Sequence, residues 1–252
     1  LLHAGEPGVQ LTWMDARVGD DVITPRTGKA VEINALWHNA LVVLNCFETH
    51  LGATPVQVDG LNAASVASRV EQSFDRFISE EGLFDVIDTP AGNDATIRPN
   101  QIFVVSLAAR RRLDPRISES PLIPMSVSRT VLDVVEDNLL TPAGLRSLDP
   151  RHPDYRGTYS GGPGERDRGY HQGPVWGWLI GPYIDALLYA RGDSHAARLM
   201  LESANDELAR GCIGQLPEIY EGAPPHTMRG AFAQAWTVAE VLRAWMMAVN
   251  ES

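Results

Sequence analysis

The chain has 252 residues, 44% of them hydrophobic and 21% charged, with 21 Lys and Arg against 32 Asp and Glu for a formal charge of −11. That length holds one large core or two modest ones, the composition excludes a mainly disordered chain, and the negative balance repels nucleic-acid phosphates and anionic lipid surfaces. No apolar run approaches the roughly 18 residues needed to cross a bilayer, so no membrane partner is expected and the cytoplasm is the default compartment. Cys46 and Cys212 stand too far apart for a metal knuckle and are read as free, buried thiols. The opening LLHAGEPGVQ lacks a secretory pattern and reads as the middle of a loop, so a fragment or a processed piece is expected.

In chain order, residues 31–51 place Ile33, Leu36, Trp37, Ala40, Leu44, Phe47 and Leu51 at steps of three and four, the period of an amphipathic helix. A second helix is expected over 61–79, with Val66, Val70, Phe74, Phe77 and Ile78 on one side and Gly82 closing the segment. Pro99 suits a helix start, because its missing N–H costs nothing there, and leads into NQIFVVSLAARR. Residues 127–140 give another helix, which stops before Pro142. From 141 to 169 the chain is rich in Gly, Pro, Asp and Arg without helical period, so a surface or active-site excursion is expected. Helical patterning resumes at 175–189, 196–209 and 231–249, with Gly192 and Gly211 as stops. Strand-like alternation is short and scarce, and the expected class is all-α: antiparallel helical hairpins with polar connections forming a binding face at one end.

Five segments carry aromatics, carboxylates and amides outside helical faces: LTWMDAR at 11–17, RPNQ at 98–101, YHQGPVWGW at 170–178, LPEIYEG at 216–222 and AQAWTVAE at 233–240. Sugars present C–H faces to aromatic rings and hydroxyls to carboxylates, amides and guanidinium groups, and these segments supply both. Acetal cleavage needs one carboxylic acid to protonate the departing oxygen and a second carboxylate to activate water or attack carbon. Asp15 and Glu218 each stand in a short polar segment beside aromatic residues and are the candidates. Each also has an ordinary reading: Asp15 as a loop or N-cap residue, Glu218 as a first-turn Glu, and Trp176, Trp178 and Trp236 as core. His171 alone reads as a satisfied polar residue, and Arg110, Arg111 and Arg112 as a solvated helix end. No GxGxxG opens a helix after a strand, and GxxxxGK[ST], HExxH and GxSxG are absent, so no metal or organic cofactor is expected.

At these segments the sequence resembles the C-terminal glucosidase domain of glycogen debranching enzymes, the amylo-α-1,6-glucosidase group of the six-hairpin glycosidases. The resemblance is carried by LTWMDARVGDDVITPRTGKAVEINALWHNAL, RPNQ, LLTPAGLRSL, YHQGPVWGWLIGPY, LPEIYEG and AQAWTVAEVLRA, in the family's order and across nearly the whole chain. It implies a single glucosidase domain over 1–252, forming the C-terminal part of an (α/α)6 toroid that lacks its first helices. It further implies inverting removal of α-1,6-linked glucose stubs from glycogen or another branched α-glucan. By position, Asp15 of TWMD becomes the general acid and Glu218 of LPE the general base, with Trp13, Arg98, Asn100, Gln101, His171, Gln172, Trp176 and Trp236 lining the sugar pocket. Three alternatives remain open: a trehalase-, invertase- or glucoamylase-like glycosidase, a carbohydrate-binding remnant without turnover, and a helical scaffold with incidental carboxylates.

Overall fold

The structure is a computed structural model that describes residues 1–117, 120–211 and 213–250. Its described residues form eight α-helices: α1 (Val31–Leu51), α2 (Ala63–Glu71), α3 (Ile102–Arg111), α4 (Met125–Asn138), α5 (Pro163–Gly169), α6 (Ile180–Arg191), α7 (Ser194–Leu208) and α8 (Ala235–Asn250). From Ile180 to Leu188 α6 is apolar but for Asp185 and is buried, because α3, α4, α7 and α8 all pack against it. Its C-terminus is closed by Gly192 in the left-handed conformation, whose N–H bonds the carbonyl of Leu188. The N-terminus of α7 is capped by the Asp193 side chain, which accepts from the Ala196 N–H.

α1 has the expected bounds, ending at Gly52 with φ 60°, but its buried face differs from the expected one. Val31, Ala35, His38 and Val42 face the core, whereas Leu36, Leu44, Phe47 and Leu51 are exposed, Leu51 by 75%. The face that meets the core is not the one marked by the three-and-four spacing of the large apolar residues, and it carries the polar Glu32, Asn34 and His38 as well. α2 stops at Glu71 instead of reaching 79. A 3₁₀ turn, Phe74–Phe77, then brings two fully buried rings together at 4.8 Å, as its three-residue period requires. Ile78–Ser79 turns back to pair with Gly82–Leu83.

The chain is therefore helix-rich without being all-α. Short strands form four sheets among the described residues, within which no strand is longer than the four residues of Val86–Thr89. Two sheets shape the interior. In one, Val86–Thr89 lies between Lys29–Ala30 and Gly92–Asp94, tying the entry to α1 to the segment before α3. In the other, five antiparallel strands run in the order Met228–Arg229, Ile219–Tyr220, Val175–Trp176, Gly144–Arg146 and Leu140–Thr141. The stretch expected to be irregular over 141–169 thus contributes to the last two strands at one side of a sheet and forms the short helix α5.

Two further expectations are corrected. The arginines closing α3 are only in part a solvated end: Arg112 is exposed and lies over the Tyr189 ring, whereas Arg111 is buried and donates to Asn39 Oδ1 and Arg110 binds Asp185. Cys46 is only half-buried, its thiol directed at the Arg116 carbonyl beside a cavity of about 500 Å³ between α1 and α2. Cys212 lies outside the described residues.

Gly144 holds the five-stranded sheet closed. Its φ is +137°, and a Cβ there would stand 2.5 Å from the Trp176 carbonyl oxygen. Gly144→Ala is expected to destabilise the protein by roughly 1–3 kcal/mol through backbone strain. Thermal unfolding reads this directly, and an unchanged Tm would show that the sheet tolerates the methyl group.

Candidate active site

The polar and aromatic residues singled out from the sequence lie in the segments that lead into α1, α3, α6 and α8. Trp13 stands at their centre. Its indole meets His171, Trp176 and Trp178 edge-on at ring separations of 5.3, 5.4 and 5.4 Å, the geometry that the aromatic quadrupole favours. Its N–H donates to Asn100 Oδ1 at 2.7 Å. His171 stacks on Trp176 with 8° between the planes, and Trp236, half-exposed, stacks on Trp178 at 3.9 Å.

The five-stranded sheet delivers Glu218 to the same place, because Ile219 pairs with Trp176 on one side and Arg229 on the other. Glu218 is half-buried, and both of its oxygens are held: Oε2 accepts from the Ala231 N–H at 2.8 Å and Oε1 accepts from the Tyr170 hydroxyl. Gly230, with φ +68°, leaves the space that this carboxylate fills. Tyr170 in turn packs on Tyr159, His171 and Trp176. Burial raises the Tyr170 phenol well above its ordinary value, and the Glu218 carboxylate, then Asp15, adds to the shift. A single phenol thus senses both candidate carboxylates. Asp15 is exposed, and among the described residues its carboxylate makes no hydrogen bond or ion pair.

The other expected sugar contacts are placed differently. Arg98, Asn100, Gln101, His171, Gln172 and Trp176 are all buried. Arg98 donates to the carbonyls of Ser147 and His171 at 3.1 and 2.9 Å and to Gln172 Oε1 at 2.7 Å. Gln101 accepts from the Leu83 N–H. Of these buried groups Arg98, Asn100, Gln101, Gln172 and Trp176 bond protein partners and His171 packs between rings, whereas Asp15, Trp13, Tyr170, Glu218 and Trp236 reach the surface. Gln172 also lines an adjoining cavity of about 510 Å³ together with Asp20, Asp21, Arg156 and Arg168. Among the described residues no cluster of three or more His, Cys, Asp or Glu side chains is placed to hold a metal ion.

Sequence reasoning did not single out Tyr170 or Asp85. Tyr170 opens the YHQGPVWGW block and was legible as a member of it. Asp85 was not, since its partner Arg26 is 59 residues away and only folding joins them.

His171 makes a pH-dependent contribution. Burial first and the nearby Arg98 second push its imidazole down from 6.5 to about 3, and its Nδ1 is buried without a hydrogen-bond partner. The unfolded chain therefore takes up a proton first, so the stabilisation is complete above pH 6.5 and is lost as pH falls from 6.5 toward 3. Each unit across that window costs at most about 1.4 kcal/mol. His171→Phe, which keeps a ring on Trp176, is expected to flatten the decline of the urea midpoint below pH 6.5; parallel decline in variant and parent would rule His171 out as the source.

Comparison with known proteins gives a consistent result. A family model described as amylo-alpha-1,6-glucosidase matches residues 1–243. The glycogen debranching enzyme of Saccharomyces cerevisiae is 26% identical over 226 residues, which covers 74% of this chain and 14% of the yeast protein. Among solved structures, the GH63 mannosylglycerate hydrolase from Thermus thermophilus superposes with a TM-score of 0.60 at 15% identity, covering 86% of this chain and 46% of that one. Neutral trehalase from Saccharomyces cerevisiae gives a TM-score of 0.57 at 13% identity, covering 88% and 38%. At such identities the structural likeness establishes a shared fold, and this chain spans less than half the length of either structure. Among the described residues no helix is long and apolar enough to cross a membrane. With the family model matched over 1–243, nearly the whole chain, the protein belongs to the amylo-alpha-1,6-glucosidase family of glycosidases.

Proposed function

We propose that this chain carries the glucosidase step of debranching: inverting hydrolysis of α-1,6-linked glucose at the branch stubs of glycogen or a related branched α-glucan. Asp15 serves as general acid and Glu218 as general base. The observation that carries this reading is the Tyr170 phenol, which donates to Glu218 and lies within the electrostatic reach of Asp15, on an open face built of Trp13, Trp236 and Tyr159. The yeast debranching relative supports the choice of substrate.

In the proposed step Asp15 gives its proton to the glycosidic oxygen as the C1–O bond breaks. Glu218 takes a proton from a water that attacks C1 from the opposite side of the ring, which inverts the configuration. The two hydrogen bonds to Glu218 fix its position, and each carboxylate oxygen keeps a second lone pair for the water. Asp15 is exposed, so the seated sugar supplies the cover over it.

The chain acts here as one glucosidase unit within an (α/α)6 toroid whose remaining helices lie elsewhere in the assembled ring. Two facts support this: the chain covers 46% of the mannosylglycerate hydrolase, and both α1 and α8 leave large apolar side chains exposed. Activity is therefore expected of the intact protein.

Asp15→Asn and Glu218→Gln should each lower kcat on a limit dextrin carrying α-1,6 glucose stubs by roughly 10²–10⁴-fold, the usual worth of general acid–base catalysis. The first product seen by NMR should be β-glucose. Normal hydrolysis by both variants would end the assignment, and α-glucose as first product would point to retention. Faster turnover of trehalose or sucrose than of the dextrin would favour a trehalase- or invertase-like specificity, while glycogen binding without any glucose release would favour a non-catalytic remnant.

A further inference from the structure

Within the segment that ends in Asp15 the Met14 N–H bonds Thr12 Oγ1 at 3.2 Å, and the remaining side-chain contacts come from below. Trp13 Nε1 donates to Asn100 Oδ1 at 2.7 Å, and the buried Met14 thioether receives Asn100 Nδ2 and Arg98 Nη1 at 3.7 Å each. One fully buried amide, Asn100, therefore touches both residues that precede the acid.

An amide can sit in two orientations of nearly the same shape, and only its partners distinguish them. Two partners do so here: the Trp13 indole, which only donates, takes the oxygen end, and Asp85 Oδ1 accepts from Asn100 Nδ2 at 2.7 Å. A carboxylate only accepts, so it compels the NH2 end to face it and leaves the oxygen end for the Trp13 indole. Asp85 itself cannot turn. Arg26 donates to its Oδ2 at 2.6 Å, to its Oδ1 at 2.9 Å and to its backbone carbonyl at 3.2 Å, and Glu32 clamps the same guanidinium from the other side. The Val31 N–H bonds the Asp85 carbonyl at 3.0 Å, which anchors the whole group to the start of α1.

We propose that Asp85 is a positioning residue for the acid: its carboxylate sets the orientation of Asn100, which holds Trp13 and Met14 so that Asp15 meets the departing oxygen. This inference rests on the reading of Asp15 as general acid. Asp85 touches neither sugar nor water in the reaction and acts through Asn100, and through Arg98, whose Nε lies 4.0 Å from its Oδ2.

Leaving-group chemistry separates this role from a merely structural one. A glycosidic oxygen must be protonated as its bond to C1 breaks, whereas fluoride leaves α-D-glucosyl fluoride with the bonding electron pair and needs no proton. In both cases water attacks C1 and gives its proton to Glu218. In the intact protein, Asp85→Asn is expected to lower kcat on the branched dextrin by about 10²-fold, the cost of a displacement near 1 Å at a reacting group, while hydrolysis of glucosyl fluoride changes little. Asp85→Glu keeps the charge that Arg26 needs and moves the oxygen that orients Asn100 by one methylene. It should show the same split to a smaller degree, and it carries the test if the Asn variant does not fold.

Equal losses on the two substrates in whichever variant folds, or no loss on either, would overturn the proposal. Asp15→Asn is the reference: it should lose the dextrin and keep the fluoride. If it keeps both or loses both, the assignment of the acid has failed and Asp85 loses its role with it; if it shows the split and the Asp85 variants do not, only the positioning role has failed.

Discussion

A buried charge must be answered where it stands, and the Asp85 carboxylate, 2% exposed, is the charge around which this protein is arranged. Burial works against the Arg26 guanidinium, but Asp85 and then Glu32 more than compensate, so its pKa is raised and it stays charged. The three residues come from the loop before α1, the first turn of α1 and the edge of a strand, so folding any one segment without the others leaves an unpaired ion inside. Removing one partner of such a group costs about 3–5 kcal/mol, whereas a well-packed apolar replacement of the whole set can be neutral. The charges add direction: an apolar cluster could fill the same space but would leave the Asn100 NH2 end without the acceptor that faces it, and only the Trp13 indole would orient the amide.

The same logic extends outward. Asn100 orients Trp13, and Trp13 offers its edge to three rings whose pairwise contacts are each worth about 0.5–1.5 kcal/mol beyond burial. Those rings lie in the block before α6, and the sheet through Trp176 carries Glu218 in from the opposite direction. Neither carboxylate is on a helix. Both are placed by connections, and the connections are made rigid by short strands, by buried polar bonds and by glycines such as Gly144 and Gly230 that admit a carbonyl or a carboxylate where a methyl group would not fit.

This division explains what could be read from the sequence. Long helices announce themselves, and α1 was legible to its last residue because Gly52 ends it. Its orientation was not, since apolar residues occupy both faces and periodicity alone cannot say which one finds the core. Two-residue strands such as Val175–Trp176 have no period to detect, and their pairing partners lie tens of residues away. Arg111 looked solvated for a similar reason: Asn39, which receives it, is 72 residues distant. Asp15 and Glu218 were marked out locally only by the aromatic residues beside them, and the ordered blocks around them, resembling a known family, gave them their expected roles. The supporting Asp85 carried no such mark.

The exposed stripe on α1 and the matching one on α8, where Leu242 and Met246 stand open, bear on how the site is completed. α6, apolar but for Asp185 along its buried length, is covered by four other helices. α1 packs against α2 and α3 and leaves Leu36, Leu44, Phe47 and Leu51 exposed. Contiguous apolar surface of this kind marks a face that packs against something. On the proposed toroid reading, further helices would close over these flanks, while the catalytic groups sit in the connections that lead into α1, α3, α6 and α8. Completing the ring would then build walls around Asp15 and Glu218 without moving the buried network that sets them. On that reading the two proposed carboxylates are supplied by this chain, and the shape of the substrate site is shared with whatever covers α1 and α8.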